Sequence, residues 1–126
     1  MNTKKPILIV LFILATYIDV AYAMIQDSKE DIEVRDIIAR LPEVIKADQY
    51  ISKKTQGKRH LVTFIDNKPT RQQHYYIITV SEDNGMNMVS HFKFIVGAKT
   101  HTIRFWDVEN DKFIPIAVWR KNHYKT

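Results

Sequence analysis

The chain has 126 residues, of which 45% are hydrophobic, 26% charged and 11% aromatic, with a formal net charge of +5 and no cysteine. That length predicts one folded domain, because a second one needs roughly another 100 residues. Collagen-like, low-complexity and disulfide-stapled classes are excluded, the apolar share is too high for wholesale disorder, and composition alone names no function.

The first segment reads as an address. Lys4 and Lys5 precede an unbroken apolar run over residues 7–14, and Ala21-Tyr22-Ala23 supplies the small-x-small pattern that a signal peptidase accepts. Cleavage after Ala23 is expected. A membrane anchor is the rival reading, but even residues 7–18 make only twelve positions against the roughly 20 a span needs, and Asp19 follows them. With no thiol to lipidate, residues 24–126 should lack a stable membrane anchor and reside in the periplasm or outside the cell. Lacking disulfides, that domain must be held by its core. In a cytosolic protein the basic balance would suggest nucleic acid, but an exported one meets acidic protein surfaces and anionic glycans instead, so no nucleic-acid partner is expected.

Ser28 with Asp31 three residues on resembles a capping box, and Val34, Ile37, Ile38 and Leu41 follow at helical spacing. Pro42 would kink a continuing helix but suits the first position of a new one. Two helical pieces are therefore predicted, about 29–40 and 42–54, the second presenting Val44, Ile45, Ala47 and Ile51 and stopped by Gly57.

From Arg59 the period changes to two. Residues 61–65, 75–80, 88–96 and 102–108 are rich in β-branched and aromatic side chains and are separated by turn signals. Asn84-Gly85 is the strongest of these and predicts a type I′ hairpin, while Gly97-Ala98-Lys99-Thr100 and Asn67-Lys68-Pro69 supply the other reversals. The result is an α+β domain, an N-terminal helix broken at Pro42 packed on a four-stranded antiparallel meander. Residues 113–119 read as either a fifth short strand or, after Pro115, a terminal helical turn.

Register then assigns faces. Placing Glu82 opposite Asn87 and Val96 opposite His101 gives a core face with Val62 and Phe64, Tyr75 and Ile77, Phe92 and Phe94, and Ile103 and Phe105. The outward face receives Leu61, Ile78, Val80 and Ile95 together with Tyr76, His91, Lys93, Arg104 and Trp106. On this register Tyr76 faces Lys93, Lys93 faces Arg104, and Trp106 faces His91. Adjacent cations repel, so an anionic partner or cation–π contact would relieve them. Those five residues form the candidate binding surface for an acidic or carbohydrate-like group. The plainer reading is that the Lys93 and Arg104 stems shield a half-buried sheet, or that the C-terminal segment folds over it.

Other clusters point to ordinary surface. Lys53, Lys54, Lys58 and Arg59 join the end of the second helix to the first strand, too far from Lys68 and Arg71 to make one patch. The five histidines have no metal-ligand spacing, so neither a metal nor a cofactor is expected. No cysteine nucleophile or G-x-S-x-G elbow occurs, and a strand sends Ser90 and His91 to opposite faces. Glu82 and Asp83 read as hairpin residues, and Asp107, Glu109 and Asp111 as an acidic turn without the EF-hand order.

Helices followed by an antiparallel meander resemble the cystatin-like arrangement, including small exported PepSY-like domains, through Leu41-Pro42-Glu43-Val44, Asn84-Gly85 and the aromatic strands around Phe92 and Trp106. The resemblance implies the fold. Gln72-Gln73-His74-Tyr75-Tyr76 lacks the valine and glycine of the inhibitory Q-x-V-x-G loop, so no inhibitory residue is carried over. The expected function is an exported non-catalytic binding module, an inhibitor or immunity-type protein whose partner is another protein such as an envelope hydrolase. A small-ligand or anionic-glycan binding domain, an envelope enzyme with a histidine general base, and a homodimer are the alternatives. The enzyme reading would require two or more histidines within about 5 Å of a carboxylate in one cleft.

Overall fold

Three helices and five strands follow one another as α1 (Lys29–Ala39), α2 (Pro42–Lys54), β1 (Leu61–Asn67), β2 (Tyr75–Asp83), β3 (Met88–Gly97), β4 (Ile103–Asp107), β5 (Lys112–Pro115) and α3 (Ile116–His123). This computed structural model describes residues 27–123, so the expected signal segment lies outside the described residues. No described helix is long and apolar enough to cross a membrane. The strands form one antiparallel sheet in chain order, β1-β2-β3-β4-β5.

Local chemistry sets the helix ends. The Ser28 hydroxyl accepts from the Asp31 amide and the Asp31 carboxylate accepts from the Ser28 amide, so the expected capping box starts α1. Residues before proline avoid helical ψ, and Leu41 stands extended at ψ 134° between the two helices, with Pro42 opening α2. The stop of α2 comes one residue before the predicted glycine. Gln56 takes φ 55°, its amide reaching the Lys53 carbonyl and the Gly57 amide the Ser52 carbonyl, the two bonds of a Schellman motif.

One side of the sheet carries the core. Val34 and Ile38 of α1, Val44 of α2 and Trp119 of α3 pack on Tyr76, Ile78, Val80, Phe94 and Val96. The Trp119 ring stacks on Phe105 at 4.2 Å between centroids and meets Phe92 and Phe94 edge-on. Arg120 of α3 then reaches the first turn of α2, with Nε 2.5 Å from Glu43 Oε1. All three helices therefore cover the same sheet face.

From Phe92 onward the predicted faces of β3 and β4 hold, although Val96 pairs with Ile103 instead of His101, and across the β2–β3 hairpin the faces themselves change. Asp83 pairs with Met88, while Val80 pairs with Phe92 and Ser81 with Ser90, which leaves His91 as an extra residue in β3. Such a bulge reverses the phase of everything beyond it. Phe92, Phe94, Ile103 and Phe105 face the helices as expected. Leu61, Tyr76, Ile78 and Val80 do so too, whereas Val62 and Phe64, assigned to the core, are 43% and 41% exposed on the far side. The Asn84-Gly85 turn also differs: only Gly85 has positive φ, the loop spans four residues, and the Asn84 side-chain oxygen accepts from the Met86 and Asn87 amides. A type I′ turn is thus replaced by an Asn-capped loop. Both C-terminal readings apply, β5 ending at Pro115 and α3 starting at Ile116.

Candidate functional site

The five residues expected to share one surface are divided by the bulge. Tyr76 belongs to the core and is 4% exposed, and burial together with the Asp31 carboxylate pushes its phenol up. His91 turns toward the helix side, where its Nε2 lies 2.9 Å from Glu82 Oε2. Lys93, Arg104 and Trp106 remain together on the face that no described helix covers. Their pairings are also shifted, with Thr79 opposite Lys93 and Ile95 opposite Arg104. Lys93 and Arg104 are diagonal neighbours, about 7–8 Å apart at the backbone instead of directly opposed. Trp106 pairs with Phe113, its ring 4.8 Å away, and not with His91.

Residues that sequence reasoning had placed inside complete this face. Phe64 lies opposite Thr79 and Val62 opposite Ser81, so an apolar margin runs along β1. Ile77 pairs with Ile95 in the middle. Ile95 is only 8% exposed without a helix above it, so its neighbours on the sheet shelter it, which fits the shielding role of long cationic stems. Past Ser81 the same face reaches Met88, and the hairpin tip holds Met86, 88% exposed. Among the described residues neither Lys93 nor Arg104 has a carboxylate within ion-pair distance, whereas Asp66 accepts a hydrogen bond from the Thr79 hydroxyl. Two cations thus share a face with an apolar strip of Phe64, Val62, Met88 and Met86, Lys93 facing Phe64 across Thr79. Alternation around Val62 and Phe64 was the visible signal, but it fits either face equally well.

The helix side holds a second feature. A cleft of about 510 Å³ opens at the end of α2 and is lined by Ala47, Tyr50, Ile51, Lys54, Thr55, Arg59, Glu82 and His91. Lys54 and Arg59, expected as solvated charge, both reach into it. His60 pairs with Asp48 at 3.4 Å outside that lining, so His91 is the one histidine of the cleft next to a carboxylate. Among the described residues no group of three or more histidine or acidic side chains is arranged to hold a metal.

Buried charge elsewhere is structural. Burial pushes the Asp31 carboxyl up, but hydrogen bonds from Lys68 at 2.6 Å and from Ser28 outweigh it and hold it below the usual carboxylate range. The Arg120 guanidinium does the same for Glu43. These pairs pin α1 to the β1–β2 connection and α2 to α3. Comparison with protein-family models, with curated proteins and with solved structures gave no match.

Proposed function

We propose that the chain is an exported, non-catalytic binding module, a periplasmic or secreted inhibitor or immunity-type protein that docks on an acidic surface of an envelope hydrolase. The observation that carries this reading is the uncovered sheet face. Its two cations, Lys93 and Arg104, have no carboxylate within ion-pair distance among the described residues, and Thr79 alone separates Lys93 from exposed Phe64, from which Val62 and Met88 continue along the same face toward the hairpin. A cationic centre beside an adaptable apolar margin suits a partner with acidic residues around an apolar depression. The β2–β3 hairpin, its tip held by Asn84 and Asp83 side chains, extends that margin to Met86 and can enter a cleft as a preformed loop. The cystatin-like resemblance belongs to this proposal, as does export, which rests on Lys4, Lys5, residues 7–14 and the Ala21-Tyr22-Ala23 site.

Site-specific photo-crosslinking in the source cells tests it, with the reactive group at Val62 and, as control, at Ile32 on α1. The proposal expects Val62 alone to yield a hydrolase whose activity falls when the purified protein is added, with both effects lost in Lys93→Glu/Arg104→Glu. The same products from Ile32, a captured enzyme that stays fully active, or Val62 linking only to a second copy or to polysaccharide would overturn it.

A further inference from the structure

The cleft at the end of α2 is assembled from two unrelated pieces of local structure. Ala47, Tyr50, Ile51 and Lys54 recur at helical spacing and form one stripe of α2, which its C-cap Thr55 continues. Ile51 is 7% exposed yet stands outside the main core cluster, so this stripe has its own apolar floor. The opposite wall is Glu82 with His91, and His91 is there because the β3 bulge re-aims it, a common use of bulges next to binding sites.

The polar groups of the cleft leave a net positive charge. Glu82 is engaged on both oxygens, Oε1 at 3.5 Å from Arg59 Nη1 and Oε2 at 2.9 Å from His91 Nε2. A carboxylate only accepts, so this Nε2 carries the proton. The Lys54 ammonium has a neutral partner, the Tyr50 hydroxyl at 3.1 Å, and lies 5.3 Å from the centre of the Tyr50 ring. One carboxylate thus faces two permanent cations. The C-terminus of α2 disfavours an anion through its dipole, a cost lessened because the Thr55, Gln56 and Gly57 amides occupy the carbonyls of Ile51, Lys53 and Ser52, and opposed by the full charges of Lys54 and Arg59. Tyr50, 63% exposed, offers a ring plane beside Ile51.

We propose that this cleft binds a small organic anion carrying a flat ring, with the anionic group between Lys54 and Arg59 and the ring against Tyr50 and Ile51. A cavity of about 510 Å³ lies within the range that takes small ligands, and mostly apolar walls with a few convergent polar groups are what such sites need. The site is on the helix side of the sheet and independent of the docking face.

Nuclear magnetic resonance titration of the protein with four probes tests it: benzoate, phenyl phosphate, inorganic phosphate and benzyl alcohol. Benzoate or phenyl phosphate, whichever anionic group the site prefers, should shift the amide signals of Tyr50, Arg59 and His91, and do so at least about tenfold more tightly than the ringless and uncharged probes, which each lack half of the recognition. Lys54→Gln should weaken that binding about tenfold, the scale of one charge-assisted contact, with an unchanged melting temperature, while Lys29→Gln on α1 leaves it intact. Inorganic phosphate binding as tightly as both ring-bearing anions, signals that do not move with either, or undiminished binding in folded Lys54→Gln would each overturn the proposal.

Discussion

Gln56 shows how a single backbone position can go against composition. A Cβ-bearing residue in the left-handed region costs about 1–2 kcal/mol, and the adjacent Gly57, also at positive φ, does not relieve it. Gln56→Gly should therefore stabilise the protein by about 0.5–1 kcal/mol after the added freedom of the unfolded chain is set against it, as read from urea midpoints. Asp31 and Glu43 carry the pH response. Both carboxyls are held below their ordinary values in the folded state, so each contributes stability above the unfolded carboxylate range and loses it as pH falls through the folded value. As pH falls below the unfolded carboxylate range the native protein should lose stability more steeply than Asp31→Asn/Glu43→Gln, a difference that acid titrations followed by circular dichroism will reveal. Ser28, Pro42 and Asp31 were legible in the sequence because each does its work on its own neighbours. Glu43 with Arg120 was not, because 77 residues separate the partners.

Among the elements, the β3 bulge decides the most. Elements and their order could be read from apolar period and turn residues, including the break at Pro42 and the reversal at Gly97. The faces could not, since both sides of β1 and β2 are apolar: Leu61 and Ile65 alternate with Val62 and Phe64, and Tyr76 and Ile78 with Tyr75 and Ile77. Nothing in the composition around His91 marks an inserted residue. Deleting His91 would restore plain alternation and send either Phe92 and Phe94 or Tyr76 and Ile78 away from the helices. That deletion should abolish cooperative urea unfolding, whereas His91→Ala, which keeps the residue count, should cost no more than about 1 kcal/mol. α3 matters in a different way, through Trp119 among Phe92, Phe94 and Phe105. Trp119→Ala should destabilise by about 3–5 kcal/mol in guanidinium melts, the range for a buried aromatic in a well-packed core.

For the whole molecule, one-sided helix packing concentrates both candidate surfaces near the same hairpin but on opposite faces. The uncovered sheet face was half legible: Lys93, Arg104 and Trp106 share it as read from the sequence, while Tyr76 and His91 were lost to it with the bulge. Reversing the charge of half-buried Lys93 and exposed Arg104 should leave the fold intact, since neither charge has an ion-pair partner to lose among the described residues and a glutamate stem still covers part of Ile95. Thermal melting should move by no more than a few degrees in Lys93→Glu/Arg104→Glu, within the scatter of surface substitutions.

Sheet order that equals chain order carries a kinetic corollary. Each strand joins the one made just before it, so no strand waits for a distant mate and every strand pairing closes a short loop, while α3 has a far-off partner in α2. A polypeptide emerging N-terminus first from the ribosome can zip hairpin by hairpin, with α3 settling last. Trp119 travels on that final segment, so quenching or enhancement of its fluorescence would time the completion of folding against the arrival of the last residues.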